Sequence, residues 1–523
     1  MMHELLTPGD MRKTEQKAFE AGMPSILLME HAAIKVVDAL EKELGGCKEK
    51  NVVFLCGTGN NGGDGLAAAR LFQVRGGKAE IWLSGAPKTP DAKTNLQMAL
   101  ACDIEVKNLA EIPREEWPFN EDFMPEKHYD GYVDALLGIG MKGAPDEITT
   151  AMITGMAHEF KRQTVIAVDI PSGMDALTGA CPGAYARANV TVTFHAGKPG
   201  LYLSRDRDAV GRIEVADIGL YALDCAFLSC EERELELDVT TPASMKMLSS
   251  RPLNAHKGDS GRILIYAGSL GMAGAAAMCA KAAVAVGAGL TTMVCEKEII
   301  PILQILVPNA MCMDIEEAVK NPPAYDVLAV GCGLSQRDGV WDNILKLFDP
   351  EKPSVWDADA LNLLAKHPMQ LGKKAVLTPH PGEAARLLGM SIQDVLQNPL
   401  ESARALQEKY GCRVLLKSDV SIACGVNWIT GCPHYVINAL GTPALAKGGS
   451  GDALAGILAA LLHTEGVSAF TAALASAWHG MAGIVGESRF GQRELTTSQL
   501  IDCLHEAEMW GKGKMPPPDT YRG

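Results

Sequence analysis

The chain has few aromatic residues and lacks the signatures of several common classes of protein. Aromatics make up 5% of its 523 residues, whereas glycine occurs 53 times, a mixture typical of many βα turns and closely packed helices. No long run of Lys or Arg offsets the net charge of −15, so we expect neither nucleic acid nor anionic membrane as a partner. Residues 1–20 lack the apolar core of a signal peptide.

Cysteine is present but forms no recognisable framework. The 14 cysteines are scattered along the chain, without a C-x-x-C pair, and many lie in apolar runs. This pattern predicts reduced, packed thiols and a cytoplasmic protein.

The length and the alternation of patterns predict two α/β domains. In each half, short β-rich runs alternate with glycine turns and helical segments, and the first unit runs from NVVFLC through a glycine-rich turn to AEIWLS. An acidic stretch separates the halves, and we place the junction near Asp238. The predicted domains are residues 1–237 and 238–510, followed by a disordered tail at 511–523.

The first glycine-rich turn formally matches the dinucleotide-binding pattern G-x-G-x-x-G at Gly57, Gly59 and Gly62. A dehydrogenase site would also need an acidic residue at the end of the second strand, where this chain has Ser84. The full string GNNGGDG offers backbone N–H groups to an anion and amide oxygens to a hard cation. A tight turn without a ligand is the alternative interpretation.

Four strings resemble, in their order, the N-terminal epimerase domain of NAD(P)H-hydrate repair enzymes: GNNGGDG, VDALLGIGMKG, VDIPSGMDALTG and TFHAGKPGL. The resemblance covers about residues 1–220 and implies a Rossmann-like three-layer α/β/α sandwich. It implies that Asn61, Asp134 and Ser172 bind K⁺, and oxygen ligands suit that ion. The residues implied to bind hydrated NADH or NADPH are Asn60, Asn61, Gly62, Gly63, Asp64, Gly138, Ile139, Gly140, Met141, Lys142, Gly143, Ala144 and Asp169.

We predict Asp169 and Lys142 as the acid and base of the epimerase. Asp169 ends a strand before Pro171, and Lys142 lies in the glycine-rich segment expected opposite. Lys198 is the alternative lysine, and Lys142 would then steer phosphate. His195, a single histidine at a strand end, is left out of the catalytic set.

In the second half, the string KGGSGDALAG opens a helix with a glycine turn that presents N–H donors to phosphate. Asp452 in this turn could accept the proton of an attacking hydroxyl. The chain lacks the P-loop G-x-x-x-x-G-K-[ST] and the protein-kinase motifs, which excludes those two classes.

The strings AHKGDSGRILIYAGS, DADALNLL, LTPHPGE, VLLKS and ALAKGGSGDALAGI resemble NAD(P)H-hydrate dehydratases of the ribokinase-like superfamily, over about residues 240–510. The resemblance implies a ribokinase-like α/β/α domain that uses ADP or ATP with Mg²⁺. The turn with His380 and Glu383 suits Mg²⁺-bound water. One departure is Ser418, where the family commonly has Gly after the lysine. The implied hydrate contacts are Ala275, Gly333, His380 and Asp452, and the implied nucleotide contacts are Lys417, Ser418, Asp419, Val420, Ser421 and Gly451.

Together the two resemblances predict repair of hydrated NADH and NADPH. The first domain would interconvert the R and S hydrates, and the second would dehydrate the S form by phosphorylation and elimination of phosphate. Two rivals remain: a small-molecule kinase on the second fold, and a first domain that only binds. Ribokinase-like relatives often assemble, so we expect a homo-oligomer.

Overall fold

The computed structural model describes residues 2–118, 128–159, 163–222, 228–229, 231–427 and 431–521. The chain divides into two compact units, one formed by Glu4–Glu234 and the other mainly by the residues from Leu235 onward. This division lies just before the junction that the sequence placed near Asp238. Each unit is an α/β fold, as predicted.

The N-terminal unit is built on a parallel sheet of seven strands. β1 (His3–Leu5) lies outside this sheet, whose strands are β2 (Asn51–Cys56), β3 (Lys78–Leu83), β4 (Glu105–Asn108), β5 (Gly131–Ala135), β6 (Thr164–Val168), β7 (Val190–Phe194) and β8 (Arg212–Ala216). The helices are α1 (Pro8–Glu20), α2 (Ser25–Leu44), α3 (Asn60–Val74), α4 (Pro90–Ala101), α5 (Glu147–Glu159), α6 (Pro199–Leu203) and α7 (Arg207–Val210), with 3₁₀ turns at Arg114–Glu116 and Leu220–Ala222. The sheet order is β4-β3-β2-β5-β6-β7-β8.

This order places a topological switch point between β2 and β5, because the chain crosses outward in opposite directions from these two strands. Ligands of doubly wound sheets bind outside the carboxyl ends of the strands at such a point. Alternate strand residues fill two separate cores: Val52 and Phe54 pack with α2 and α3, whereas Val53 and Leu55 pack with α5. The unit is therefore a three-layer sandwich.

The C-terminal unit carries the larger sheet. Its strands are β9 (Glu236–Val239), β10 (Arg262–Tyr266), β11 (Leu290–Cys295), β12 (Met311–Asp314), β13 (Val327–Val330), β14 (Ser354–Trp356), β15 (Ala375–Leu377), β16 (Arg413–Leu416), β17 (Ser421–Val426) and β18 (Pro433–Asn438), in the order β9-β18-β17-β16-β15-β14-β13-β10-β11-β12. All these neighbours pair in parallel except β17, which is antiparallel to both β16 and β18.

Helices cover both faces of this sheet. They are α8 (Ala273–Ala285), α9 (Ile300–Leu306), α10 (Ile315–Lys320), α11 (Val340–Leu347), α12 (Asp359–Lys366), α13 (Pro381–Leu388), α14 (Ile392–Gln397), α15 (Pro399–Tyr410), α16 (Ser450–Thr464), α17 (Ala469–Phe490), α18 (Thr497–Asp502) and α19 (Leu504–Gly511), with 3₁₀ turns at Pro242–Met247, Lys297–Ile299 and Pro443–Leu445. The small residues of α8 and α16 let the two backbones touch: a Cβ on Gly456 would overlap the carbonyl oxygen of Cys279. This contact holds α16 closely against α8.

Residues 512–521 make contacts that a disordered tail would lack. The Tyr521 ring packs edge-on against Trp510 with ring centroids 4.8 Å apart, and the Thr520 hydroxyl donates to the carbonyl of Ile484 at 3.0 Å. The structure therefore departs from the predicted disorder as far as Tyr521, because an aromatic ring and a hydroxyl both find partners. Arg522 and Gly523 lie outside the described residues.

Two further properties concern thiols and membrane spans. The 12 cysteines within the described ranges are free thiols. Among the helices that the structure describes, none combines the length and the apolar character that a membrane span requires.

Candidate active sites

The first glycine-rich turn lies at the switch point of the N-terminal sheet. It joins the carboxyl end of β2 to α3, whose first five residues are Asn60 to Asp64. A Cβ on Gly57 would overlap the carbonyl oxygen of Leu136, which follows β5, and a Cβ on Gly62 would overlap the carbonyl oxygen of Gly57. Gly57 is needed because the chain segments leaving β2 and β5 touch there, and Gly62 is needed because the start of α3 packs directly on Gly57.

The three predicted K⁺ ligands lie around the loop that follows β5. Asp134 is fully buried: its Oδ1 accepts from the Ser172 hydroxyl at 2.5 Å and its Oδ2 from the Ser172 backbone N–H at 2.7 Å. The Ser172 hydroxyl oxygen also accepts from the Leu137 N–H at 2.8 Å. A Cβ on Gly138 would lie 3.2 Å from Asn61 Oδ1. The structure thus places Asn61, Asp134 and Ser172 next to one short segment.

The chemistry of this donor set fits a hard monovalent cation. Burial raises the pKa of Asp134 to about 6, so its ionised form is costly without a positive partner. Carboxylate, amide and hydroxyl oxygens are the donors that such an ion takes. Asn61 Nδ2 is buried and makes no hydrogen bond among the described residues, so the amide is not locked by a competing protein contact.

Asp169 and Lys198 form a buried ion pair at the carboxyl ends of β6 and β7. Lys198 Nζ lies 2.6 Å from Asp169 Oδ1 and also donates to Thr193 Oγ1 and to the Phe194 carbonyl, both at 3.0 Å. The Lys198 side chain is 0% exposed and that of Asp169 is 11% exposed. Asp169 has a φ of +66°, an uncommon conformation for a residue with a side chain. The backbone turns sharply here and directs the carboxylate toward the lysine.

Lys142 does not join this pair. It lies in the exposed segment between Gly140 and Gly143, and no ion pair connects it to Asp169 in the part of the chain that the structure describes. Gly143, at a φ of +75°, turns this segment outward. The predicted pairing of Asp169 with Lys142 is therefore not seen, and the alternative lysine occupies the place beside the carboxylate.

Two more carboxyl groups, those of Glu15 and Asp64, lie near Asp169, and Glu15 was not selected from the sequence. Glu15 projects from α1, and burial followed by the charge of Asp169 raises its pKa to about 7. The same causes, in the same order, raise the pKa of Asp64 well above its ordinary value. Arg12, one turn earlier on α1, donates to the Ile139 carbonyl at 3.1 Å. Nothing local marks Glu15, because α1 reaches the site only through the tertiary fold.

His195 follows β7 and is buried beside Tyr221, with ring centroids 4.4 Å apart. Burial, and then the charge of Lys198, lowers the pKa of His195 to about 4, so the ring is neutral at pH 7. The Tyr221 hydroxyl donates to the His195 carbonyl at 2.6 Å. A neutral, packed histidine agrees with its exclusion from the acid and base set.

The second glycine-rich turn starts α16 at the carboxyl edge of the C-terminal sheet. Gly449, at a φ of +91°, precedes Ser450, and Asp452 lies in the first helical turn. Burial, and next the charge of Asp357, raises the pKa of Asp452 to about 6. The Ser450 hydroxyl lies 3.1 Å from Nε2 of the buried His479 on α17. The turn therefore combines the N–H groups of a helix N-terminus with a carboxylate whose affinity for a proton is increased.

Lys417 reaches this turn from the end of β16. Its Nζ lies 2.6 Å from Asp357 Oδ1, and a Cβ on Gly451 would lie 3.5 Å from the same ammonium. The thiol of Cys332 and the carboxylates of Asp357 and Asp452 lie within 4.8 Å of one another. Asp357 and Cys332 were not selected from the sequence. Their signal is positional, because each follows the carboxyl end of a strand, β14 and β13.

The remaining predicted contacts fall into two groups along the same edge. A Cβ on Gly333, at a φ of +62°, would lie 2.8 Å from Ala275 Cβ, so these two residues touch. The loop between β16 and β17 holds Ser418 to Val420, and the Ser418 hydroxyl donates to Asp419 Oδ1 at 2.6 Å. Ser418 thus stabilises its own turn.

His380 and Glu383 form a capping pair at the start of α13. Glu383 Oε2 accepts from the His380 N–H at 2.9 Å, and His380 Nδ1 accepts from the Gly382 N–H at 3.0 Å. Burial lowers the pKa of His380 and raises that of Glu383 to about 7. The Glu383 carboxyl is 6% exposed, whereas the His380 side chain is 53% exposed and available to a ligand.

Both units of the chain match known protein families. Residues 263–506 match the family model described as NAD(P)H-hydrate dehydratase, and residues 25–200 match the model described as YjeF-related protein N-terminus. The bifunctional NAD(P)H-hydrate repair enzyme Nnr of Moorella thermoacetica is 34% identical over 96% of this chain and 96% of its own. The enzyme of the same name from Escherichia coli is 36% identical over 86% of this chain and 84% of its own.

The chain belongs to the bifunctional NAD(P)H-hydrate repair enzymes. The Coxiella burnetii member of this family is 35% identical over 94% of this chain and 97% of its own. Among solved structures, the ADP/ATP-dependent NAD(P)H-hydrate dehydratase of Bacillus subtilis, co-crystallised with ATP and Mg²⁺, covers 52% of this repair enzyme and 97% of that chain, at 25% identity and a TM-score of 0.47.

Proposed function

We propose that the N-terminal unit interconverts the R and S 6-hydroxy hydrates of NADH and NADPH, and that the C-terminal unit returns the S hydrate to NAD(P)H with ADP or ATP as phosphate donor. Two observations support this assignment. The buried Asp169–Lys198 pair offers a proton acceptor and donor at one ligand-binding edge, and the Asp452 turn offers a base and anion-binding amides at the other.

Inversion at C6 of the hydrate needs proton transfer and little else. If the hydroxyl leaves, Lys198 donates a proton to it as the C6–O bond breaks, and the ring nitrogen lone pair forms a planar iminium. Water then adds from the other face and gives up a proton to Asp169. If the ring opens instead, the same pair removes the hydroxyl proton and returns one to the ring nitrogen. Either route uses the two groups held 2.6 Å apart.

A potassium ion would be held by Asn61, Asp134 and Ser172. It would supply a fixed positive charge beside the anionic substrate and would balance the buried Asp134 carboxylate. The binding segments proposed for the hydrate are Asn60 to Asp64 and Gly138 to Ala144, and the exposed Lys142 then attracts the substrate phosphates.

The dehydratase reaction consists of transfer and elimination. The C6 hydroxyl attacks the terminal phosphorus and Asp452 takes its proton, while the bridging P–O bond breaks and releases AMP or ADP. The C6–O bond then breaks, the ring nitrogen lone pair expels phosphate, and loss of the C5 proton restores the C5–C6 double bond. Lys417 to Ser421 and Gly451 bind the nucleotide in this proposal, and Ala275, Gly333 and His380 bind the hydrate.

Mg²⁺ would accompany the nucleotide near His380 and Glu383. The buried Glu383 carboxyl offers the hard oxygen that this ion prefers, and Mg²⁺ commonly keeps several waters. When bound, the ion would neutralise charge on the transferred phosphoryl group.

Assembly into a homo-oligomer and residence in a reducing, cytoplasmic compartment stay predictions. The 12 free thiols among the described residues agree with a reducing compartment.

Phosphorus NMR tests the dehydratase against a kinase. The enzyme is incubated with hydrated NADH, Mg²⁺, K⁺ and either ADP or ATP, and the products are followed over time. We expect inorganic phosphate to accumulate with NADH, and the faster nucleotide identifies the donor. A phosphate ester that accumulates without NADH would instead identify a small-molecule kinase.

A further inference from the structure

Asp357 is a buried carboxylate at the dehydratase site to which the proposed function gives no role. It follows β14, its residue is 3% exposed, and its backbone N–H already donates to the Val330 carbonyl at 3.0 Å. The side chain is therefore not needed to satisfy its own backbone. Buried carboxylates are costly unless a partner or a function compensates them.

Its partner is the ammonium group of Lys417. The Nζ–Oδ1 distance is 2.6 Å, and the side chains of Asp357 and Lys417 are 4% and 17% exposed. Among the described residues, Asp357 is the one ion-pair partner of Lys417. A four-carbon chain with a free ammonium would sample many positions, so Asp357 decides where this charge lies.

That position is the start of α16. A Cβ built on Gly451 would lie 3.5 Å from Lys417 Nζ and 3.8 Å from Asp357 Oδ2. Glycine at 451 thus leaves a space bounded by the ammonium, the carboxylate and the first-turn N–H groups of the helix. An ammonium and helix N-terminal amides together bind phosphate oxygens.

We propose that Asp357 is a positioning residue for phosphoryl transfer: it holds Lys417 Nζ beside Gly451, where the ammonium contacts the terminal phosphate groups of the nucleotide. The inference rests on the proposed role of the Asp452 turn in the dehydratase. Asp357 does not exchange a proton with the substrate in this account. Its effect passes through Lys417 and through its charge beside Asp452.

The charge of Asp357 beside Asp452 provides a second measurement, the pH dependence of kcat, which the loss of a purely structural aspartate would leave unchanged. The charged and titratable groups facing Asp452 are Asp357, Asp359, Lys417 and Cys332. Of these, the Asp357 carboxylate is the largest charge that raises the pKa of Asp452. Replacing it by a neutral amide therefore shifts the acid limb of the rate profile to lower pH.

The test is a double-mutant cycle in the full chain with hydrated NADH and Mg²⁺-ADP or Mg²⁺-ATP. Its variants are Asp357→Asn, Lys417→Met and both together, with Asp357→Glu as the conservative variant. Asp326→Asn is the control: the Asp326 carboxylate accepts the Arg262 backbone N–H, and the residue precedes β13 at the amino edge of the same sheet. KM for the nucleotide, kcat and the pH dependence of kcat are measured for each.

We expect Asp357→Asn to raise the nucleotide KM by about tenfold or more, and Asp357→Glu to restore part of the loss. The double variant should be no worse than Lys417→Met, because the two residues act as one unit. If Asp357→Asn leaves an unpaired lysine and fails to fold, the double variant, which removes both charges, still reports the coupling.

Multiplicative losses in the double variant, or an unchanged KM and pH profile in Asp357→Asn, would overturn the inference. Asp452→Asn separates this failure from failure of the proposed function. If Asp452→Asn is inactive while Asp357→Asn behaves as wild type, only the role of Asp357 is wrong. If Asp452→Asn remains active, the assignment of the dehydratase base is wrong as well.

Discussion

The exchange of Lys198 for methionine is the perturbation that most directly tests the epimerase site. Methionine keeps the length and apolar stem of the side chain but removes the ammonium that lies 2.6 Å from Asp169. Because the lysine is 0% exposed, water cannot replace the lost charge without rearrangement. The change should therefore remove a proton donor from the site and also lower the stability of the N-terminal unit.

Both magnitudes follow from the burial of the pair. Removing one partner of a buried ion pair typically costs about 3 to 5 kcal/mol, so the N-terminal unit should unfold at lower denaturant concentration. Loss of a general acid or base typically lowers a rate by about 10² to 10⁴. Lys142→Met is the matched control, since Lys142 is exposed and should change the rate only through weaker attraction of the phosphates.

The assay uses an Asp452→Asn background without nucleotide, in which we expect no dehydration, so that both hydrates persist. One purified epimer of hydrated NADH is added with K⁺, and the approach to the R/S equilibrium is followed by chromatography. Lys198→Met should slow this approach at least a hundredfold, whereas Lys142→Met should slow it less than about tenfold. The opposite ranking of the two lysines would refute the reasoning.

Three further predictions follow from other parts of the structure. The kcat of the dehydratase should fall about tenfold per pH unit below pH 6. Burial raises the pKa of Asp452 to about 6, and Asp452 must be ionised to accept a proton. A midpoint near pH 4 in the rate profile would contradict this prediction. Potassium chloride should raise the Tm of the N-terminal unit relative to choline chloride, and Asp134→Asn should abolish the difference; an equal rise in the variant would argue against this site. Gly456→Ala should lower the free energy of unfolding by about 1 to 3 kcal/mol, because the new Cβ would overlap Cys279. Gly274→Ala on α8 should not lower it, because the Cβ there meets open space. Equal free energies of unfolding for the two variants by urea denaturation would contradict this prediction.

The strand pattern could be predicted from the sequence to within a few residues, and the differences have a common cause. The β-rich run TVIAVDI, residues 164–170, is typical of a strand over its whole length, but β6 ends at Val168 because Asp169 adopts a φ of +66°. The run ANVTVTFH likewise ends at Phe194, because His195 adopts a φ of +65°. Hydrophobic periodicity does not register a left-handed residue, and such residues occur where a site redirects the chain.

The candidate sites were predictable where one segment supplies several groups. The prediction of the Gly448–Asp452 turn and of the helix after it rested on local glycine density and an aspartate. In the structure this helix, α16, begins at Ser450. Pairings between distant segments were not predictable in the same way. The sequence favoured Lys142 and left Lys198 as the alternative, whereas the structure distinguishes them by the burial of Lys198 beside Asp169 at the ends of β6 and β7.

Asp357 illustrates the same difficulty in the other unit. The run SVWDADALNLLA contains two aspartates two residues apart, and nothing in its composition separates their roles. In the structure Asp357 faces Lys417, 60 residues away, whereas Asp359 begins α12 and accepts from the Ser335 N–H. The sheet order, with β14 and β16 on either side of β15, brings the first pair together.

Recovery of the dihydronicotinamide absorbance from an equilibrium mixture of NADH hydrates tests the central claim most directly. With K⁺, Mg²⁺ and the preferred nucleotide, the wild-type enzyme should restore the whole mixture. Asp169→Ala should stop once one epimer is consumed, and Asp452→Ala should restore nothing. No recovery by the wild type with either ADP or ATP, or complete and undelayed recovery by Asp169→Ala, would contradict the assignment of two cooperating sites to one chain.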